Sequence, residues 1–147
     1  MTPNKFNIRV YGILIKDQHV LITDELIRGN RMTKFPGGGL EFGEGIAECL
    51  IREFDEELDI EIKIGKLFYI NDFFKESAFN PADQLISIYY FVEQIDGKKI
   101  PIGKKPFDFS PPINQCFRWA KLSTIRALDF TYPIDQKIGE MLSKLDV

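Results

Sequence analysis

From Phe6 to Ile15 the chain is rich in Val, Ile, Phe and Tyr, and Val20–Ile22 repeats the pattern after the polar Lys16-Asp17-Gln18-His19, which predicts a pair of strands. A polar segment with Gly29-Asn30 leads to a short predicted strand, Met32–Phe35, which Pro36 and the Gly37-Gly38-Gly39 run must end. Between Gly45 and Leu58 the period changes. Ile46, Leu50 and Phe54 recur every fourth residue, with Ala47, Ile51 and Leu58 beside them, the stripe of an amphipathic helix. Ile60–Phe74 and Gln84–Ile95 read as two long strands separated by a turn-rich stretch from Ala78 to Asp83. Asp96–Gln115 carries Gly97, Gly103, Pro101, Pro106, Pro111 and Pro112 and reads as a long surface loop or hairpin. Cys116–Ala120 resumes a short strand. Pro133–Leu145 predicts a terminal helix with Ile134, Ile138, Met141, Leu142 and Leu145 on its apolar face. This order gives an α/β fold with a mixed sheet between helices, without internal repeats, low-complexity tracts or linkers.

Composition narrows the class. A length of 147 residues suits one domain, residues 1–147, and 44% hydrophobic with 13% aromatic content is ample for a packed core. A net charge of -3 gives no global positive field for a nucleic acid polymer or an anionic membrane, although a small anionic ligand needs only a local basic site. Cys49 and Cys116 are far apart and outside any CxxC spacing, which favours reduced thiols. The segment from Met1 to Val10 lacks a signal-peptide core, and the longest strongly apolar stretch, Leu85–Val92, is far short of the roughly 20 residues that span a bilayer. A cytoplasmic protein is expected.

The candidate chemistry lies between Phe35 and Ile60. At about 100° per residue, Glu53, Glu56 and Glu57 project from one face of one helical turn. A solvated acidic face costs only a few tenths of a kcal/mol per like-charge pair and is the ordinary explanation. The preceding Pro36-Gly37-Gly38-Gly39-Leu40-Glu41-Phe42-Gly43-Glu44 weighs against it. Glycines let backbone approach a ligand closely, and carbonyl oxygens beside carboxylates make an all-oxygen site, which selects magnesium or manganese over zinc.

Gly38, five residues, Glu44, seven residues, then Arg52-Glu53-Phe54-Asp55-Glu56-Glu57 and an apolar Ile60 resembles the Nudix box. At ordinary residue frequencies such a match arises by accident in about one chain in 10⁵. The strands before and after the box, the Trp119 strand and the terminal helix are similar to the family as well, so the resemblance implies the Nudix α/β/α sandwich, a mixed β-sheet between helices. One position departs from the pattern: Asp59 stands where the box has Gly. That position calls for a left-handed C-terminal residue, which Asp adopts at a cost of about 1 kcal/mol.

The resemblance implies a magnesium-dependent hydrolase, with manganese as a substitute, that cleaves the diphosphate of a nucleoside diphosphate linked to another moiety. Glu56 and Glu57 are then metal ligands, Glu53 is a ligand or the base that accepts the water proton, and the Gly38 carbonyl completes the shell. Arg52 orients Glu53, and Glu44 either contacts a metal through water or merely complements the helix N-terminus. Members recruit a further acid outside the box, for which Glu93, Glu76 and Asp72 are candidates. The sole histidine, His19, sits in a turn, so a multi-histidine metal site is excluded.

For substrate, Arg31 and Lys34 are candidate phosphate contacts, with Arg28 nearby, and Phe73, Phe74 and Phe79 are candidate stacking partners against a commoner fate in the core. Strand alternation sends Phe73 and Phe74 to opposite faces. The Lys98-Lys99 and Lys104-Lys105 pairs read as solvated. The motif does not separate a nucleoside triphosphate, a nucleotide sugar, ADP-ribose or a dinucleoside polyphosphate. Two readings from other classes share the fold: a non-catalytic nucleotide-sensing module, and an isoprenoid diphosphate isomerase. Sensors carry an extra DNA-binding domain and isomerases a divergent box. A homodimer is the expected assembly.

Overall fold

The computed structural model describes residues 2–145. Along the chain come strands β1 (Lys5–Lys16), β2 (His19–Ile27), β3 (Asn30–Lys34) and β4 (Gly37–Gly39), helix α1 (Ile46–Leu58), strands β5 (Ile62–Ile70), β6 (Asp83–Gln94) and β7 (Gln115–Lys121), a 3₁₀ turn (Ala127–Asp129) and helix α2 (Pro133–Ser143). The described residues group into two compact units, one of residues 2–12 and 37–96 and the other of residues 13–36 and 97–145.

In the first unit β5 pairs antiparallel with β6, and β4 pairs antiparallel with β1 through Arg9↔Gly39, Val10↔Gly38 and Tyr11↔Gly37. The glycine run, expected to end the preceding strand, is therefore itself a strand. Its conformation explains the residue choice: Gly37 has φ 148, and a Cβ there would overlap the Val10 carbonyl oxygen and reach 2.8 Å from Tyr11 Cα. Helix α1 buries Cys49, Leu50, Phe54 and Leu58. A Cβ on Gly12 would lie 2.6 Å from the Phe54 ring, so the ring packs directly on the β1 backbone. Phe54 is fully buried, and Phe54→Ala would cost about 3–5 kcal/mol through transfer and cavity terms. The helix starts at Gly45, whose N–H is accepted by Glu48 Oε1 at 3.1 Å, and ends on Asp59 in the left-handed region, φ 53 and ψ 42. That is the C-terminal conformation expected of this position.

The strand expected to run to Phe74 stops at Ile70. Asn71 is buried and turns the chain out of the ladder. Its Oδ1 accepts the Ser87 N–H at 2.7 Å and its Nδ2 donates to the Phe73 and Leu85 carbonyls at 3.0 and 3.3 Å. Phe73, Phe74 and Phe79 consequently lie outside the ladder and are exposed, not packed in the core, and strand alternation no longer orders them.

In the second unit β2 lies between β3 and β7, antiparallel to both, and pairs with the end of β1 at Ile15↔Val20 and Lys16↔His19. Strand β2 is longer than the predicted Val20–Ile22. The two hairpin turns, Asp17-Gln18 (φ 49 and 63) and Arg28-Gly29 (φ 51 and 79), both have two central residues at positive φ, the form that matches strand twist. Residues 96–114 hold no regular strand, and Ile102 makes a single parallel bridge to Phe117. Ile134, Ile138 and Leu142 form the buried face of α2 as expected. Phe130 stacks on Phe35 with ring centroids 4.5 Å apart, and Gly139 is bare because a Cβ there would sit 2.7 Å from the Phe130 ring. The strands and two helices make the expected α/β fold with a mixed sheet.

Candidate active site

The site is built on β4, the 40–45 turn and α1, all within the first unit. Gly38 is buried, and a Cβ there would overlap Glu53 Oε1 and sit 2.6 Å from its Cδ and 2.8 Å from its Oε2. The Glu53 carboxylate thus rests on the bare face of the glycine strand, a cradle that any side chain at 38 would fill. This contact joins the two ends of the sequence motif.

Arg52 organises the carboxylates. Its Nε and Nη2 donate to Glu44 Oε2 and Oε1 at 2.9 and 2.7 Å, and Nη2 also reaches the Gly39 carbonyl at 3.2 Å. Nη1 donates to Glu53 Oε1 at 3.0 Å and to Glu56 Oε2 at 3.3 Å. Glu44 is not an N-terminal helix carboxylate of the simple kind. It precedes the cap residue, also accepts the Glu41 N–H at 3.0 Å, and is the main anchor of Arg52. The Arg52 hydrogen bonds, helped by that backbone N–H, hold the Glu44 carboxyl down at about 2, and the same bonds to Glu44 push the arginine's pKa up. Cys49 lies beneath them, its thiol pushed up to about 12 by burial and by the adjacent Glu44. It is a buried core residue.

Glu57 is half-buried on the same turn and Glu56 is exposed. Among the described residues no three His, Cys, Asp or Glu side chains converge as metal ligands. The Arg52 guanidinium stands between the carboxylates of Glu53 and Glu56. The donor set nevertheless suits a hard divalent cation, with carboxylates from successive positions of one helical turn and a side-chain-free strand against the innermost of them. Asp72, Glu76 and Glu93 are exposed. Glu93 lies opposite Lys63 in the β5–β6 ladder and Glu76 bridges to Gln84.

The remaining candidates divide by surroundings. In the second unit Lys34 is buried, its Nζ 3.4 Å from Glu25 Oε2, so its charge is engaged, whereas Arg31 is exposed with its guanidinium 5.0 Å above the Phe107 ring. His19 Nδ1 lies 2.7 Å from the Asp17 carbonyl in the hairpin turn. Lys98, Lys99, Lys104 and Lys105 are exposed as expected. Phe73, in the first unit, is 42% exposed.

Two arrangements had no signal in the residue pattern. In the second unit Asp24 is fully buried in β2 and accepts Arg118 Nε at 2.6 Å, Arg118 Nη2 at 3.1 Å, Thr33 Oγ1 at 2.7 Å and the Phe107 N–H at 3.1 Å. Burial alone would raise the Asp24 pKa, but the Arg118, Thr33 and Phe107 hydrogen bonds together outweigh it and lower the value. In the first unit Arg9 and Tyr11 line the other face of the glycine strand.

Among the described residues no helix is long and apolar enough to cross a membrane, and both cysteines are free. The fold is shared with solved proteins of low sequence identity. A NUDIX hydrolase from Nitrosomonas europaea is 21% identical with a TM-score of 0.69, over 95% of this chain and 91% of that one. A MutT NUDIX hydrolase from Burkholderia pseudomallei is 15% identical with a TM-score of 0.67, over 97% of this chain and 100% of the other. An ADP-ribose pyrophosphatase from Streptococcus suis is 12% identical with a TM-score of 0.60, over 96% and 94% of the two chains. Residues 5–140 match the NUDIX domain, and the chain therefore belongs to the NUDIX domain family.

Proposed function

We propose that this chain is a magnesium-dependent hydrolase that cleaves the diphosphate linkage of a small nucleotide-like substrate, such as a nucleoside triphosphate, a nucleotide sugar or ADP-ribose. The observation that carries this reading is the Glu53 carboxylate seated on bare Gly38 and gripped by Arg52. Proteins of the same fold bear the names ADP-ribose pyrophosphatase and UDP-X diphosphatase, which supports a diphosphate substrate without choosing its second moiety. The chain acts as one domain, in the cytoplasm, on a free small molecule and not on a polymer or a membrane, with a homodimer the expected assembly.

Water attacks phosphorus in line, one phosphorus–oxygen bond forms as the bridging one breaks, and the water proton must be accepted. Glu53, Glu56 and Glu57 would hold magnesium with the Gly38 carbonyl, and the cation would neutralise phosphoryl charge and lower the pKa of water there. Glu53 serves as a metal ligand or as the base that accepts the proton, a reading supported by the Arg52 hydrogen bond to one of its oxygens and the bare strand against it. Arg52 is a positioning residue, and Glu44 positions Arg52. Arg31 and Phe73 are the candidate contacts for substrate phosphate and base. Lys34 is already paired with Glu25.

The test is turnover of a panel of diphosphate compounds with and without magnesium, with products identified. Cleavage at the diphosphate that stops on chelation supports the reading. Tight binding of a panel compound with no cleavage contradicts it and favours a sensor.

A further inference from the structure

The Arg52 guanidinium meets the carboxylates around it at two ends that differ. At one end Nε and Nη2 donate to the two oxygens of Glu44 at 2.9 and 2.7 Å, and Nη2 also reaches the Gly39 carbonyl at 3.2 Å. At the other end the single nitrogen Nη1 is shared. It donates to Glu53 Oε1 at 3.0 Å and to Glu56 Oε2 at 3.3 Å, and lies 3.7 Å from Glu41 Oε1. One positive charge therefore serves Glu41, Glu44, Glu53 and Glu56 together and leaves them undercompensated.

The two ends also differ in burial. The Glu44 and Glu53 side chains are each 13% exposed, whereas that of Glu56 is 56% exposed. The paired fork on enclosed Glu44 is the arrangement in which a guanidinium holds a carboxylate most strongly. Glu53 has little freedom, since bare Gly38 lies against its carboxylate. The Glu56 contact is longer and joins an exposed side chain four residues along the helix, a kind of pair that contributes little to stability. Of the carboxylates hydrogen-bonded to Arg52, Glu56 is thus the one it gives up most readily and Glu44 the one it keeps.

We propose that Arg52 is a charge placeholder at the metal site: Nη1 holds Glu53 and Glu56 beside each other and releases Glu56 when a divalent cation is taken up, while Nε and Nη2 stay on Glu44. Taking Glu53 and Glu56 as metal ligands rests on the hydrolase reading. Arg52 thereby gathers the carboxylates in advance and lowers their affinity for the cation, because a positive charge must be displaced.

The test is equilibrium binding of magnesium and manganese, without substrate, to the wild type and Arg52→Gln, by calorimetry and by the metal-dependent rise in melting temperature. Melting in the presence of chelator checks that the variant folds. Glutamine removes the charge, so Arg52→Gln is expected to bind both ions about tenfold more tightly than the wild type. A residue that only positioned Glu53 would give the opposite, weaker binding in the variant. Equal or weaker affinity of Arg52→Gln overturns the inference, as does a wild type that binds neither ion. If Arg52→Gln does not fold, the wild type carries the test through NMR of the Arg52 side chain during a magnesium titration. The Nη1 protons are expected to exchange faster with water as magnesium is added while the Nε–H stays protected, and unchanged Nη1 exchange overturns the inference. Turnover of the diphosphate panel, measured in parallel, separates the two readings. Tighter binding by Arg52→Gln with no turnover of any diphosphate by the wild type sinks the hydrolase reading alone; magnesium-dependent turnover with no tightening sinks this one alone.

Discussion

Arg52 grips Glu44 through two hydrogen bonds of 2.9 and 2.7 Å and uses its remaining nitrogen to hold Glu53 at 3.0 Å. The turn before α1 and the acidic face of α1 are thereby locked to each other. In the proposed reaction Glu44 would act without contact with substrate. It sets the position of the arginine that sets the position of the carboxylate.

Glu44→Gln tests that chain of contacts. The amide can accept from only one of the two arginine nitrogens, so Glu53 loosens, and kcat is expected to fall about 10 to 100-fold, the range for supporting residues around a reactive site. Because the Glu44 pKa is held at about 2, the group stays ionised throughout pH 4–9 and the defect should be independent of pH there. Steady-state kinetics across that window, with KM separated from kcat, checks it. A variant with wild-type kcat would show that Arg52 needs no anchor.

Gly38→Ala places a methyl on the Glu53 carboxylate, which must shift. Overpacking of this kind costs about 1–3 kcal/mol, and activity should fall further than stability, since the displaced group is the proposed base. Melting temperature and kcat measured on one preparation separate the two effects.

Asp59→Gly addresses the departure from the family pattern. Asp59 holds the left-handed cap with its N–H on the Asp55 carbonyl at 2.9 Å. Glycine takes that conformation without the Cβ cost, so stability should rise by about 1 kcal/mol, or about 2–4 °C for a chain this long, with activity unchanged. A lower melting temperature would contradict it.

Asp24→Asn probes the buried pair with Arg118. Removing one partner leaves a charge with inadequate compensation, expected to cost roughly 3 kcal/mol. The folded pKa of Asp24 lies below its ordinary value of 3.8, so its ionic contribution is complete above that value and is lost as pH falls through the folded pKa. The gap in melting temperature between wild type and variant should therefore be widest near neutrality and narrow toward pH 3. A constant gap would mean that hydrogen bonding alone, without charge, holds the site.

Much of this was legible in the residue pattern, and for identifiable reasons. The four-residue stripe of Ile46, Leu50 and Phe54 marked α1, and the spacing of Gly38, Glu44, Arg52, Glu53, Glu56 and Glu57 marked the candidate site. Asp59 was placed correctly as a left-handed cap. Three features escaped because they depend on partners remote in sequence. The triglycine reads as the end of a strand until β1 is seen to pair with it, Asn71 ends β5 only through its bonds to Ser87 and Leu85, and Lys34 is buried with its charge paired to Glu25. Asp24 and Arg9 gave no signal because a charge in a strand looks like a solvated position unless its neighbours are known.

The central claim is tested most directly by magnesium-dependent turnover of the best-cleaved diphosphate compound by wild type, Glu57→Gln and Asp55→Asn. Asp55 is an exposed acid on the same helix and serves as the control for simple loss of charge. The expected result is cleavage that requires magnesium, is retained by Asp55→Asn and falls by at least about 100-fold in Glu57→Gln at unchanged melting temperature. Equal activity of Glu57→Gln and wild type would contradict the account, because the acidic face of α1 would then be nothing more than a solvated surface.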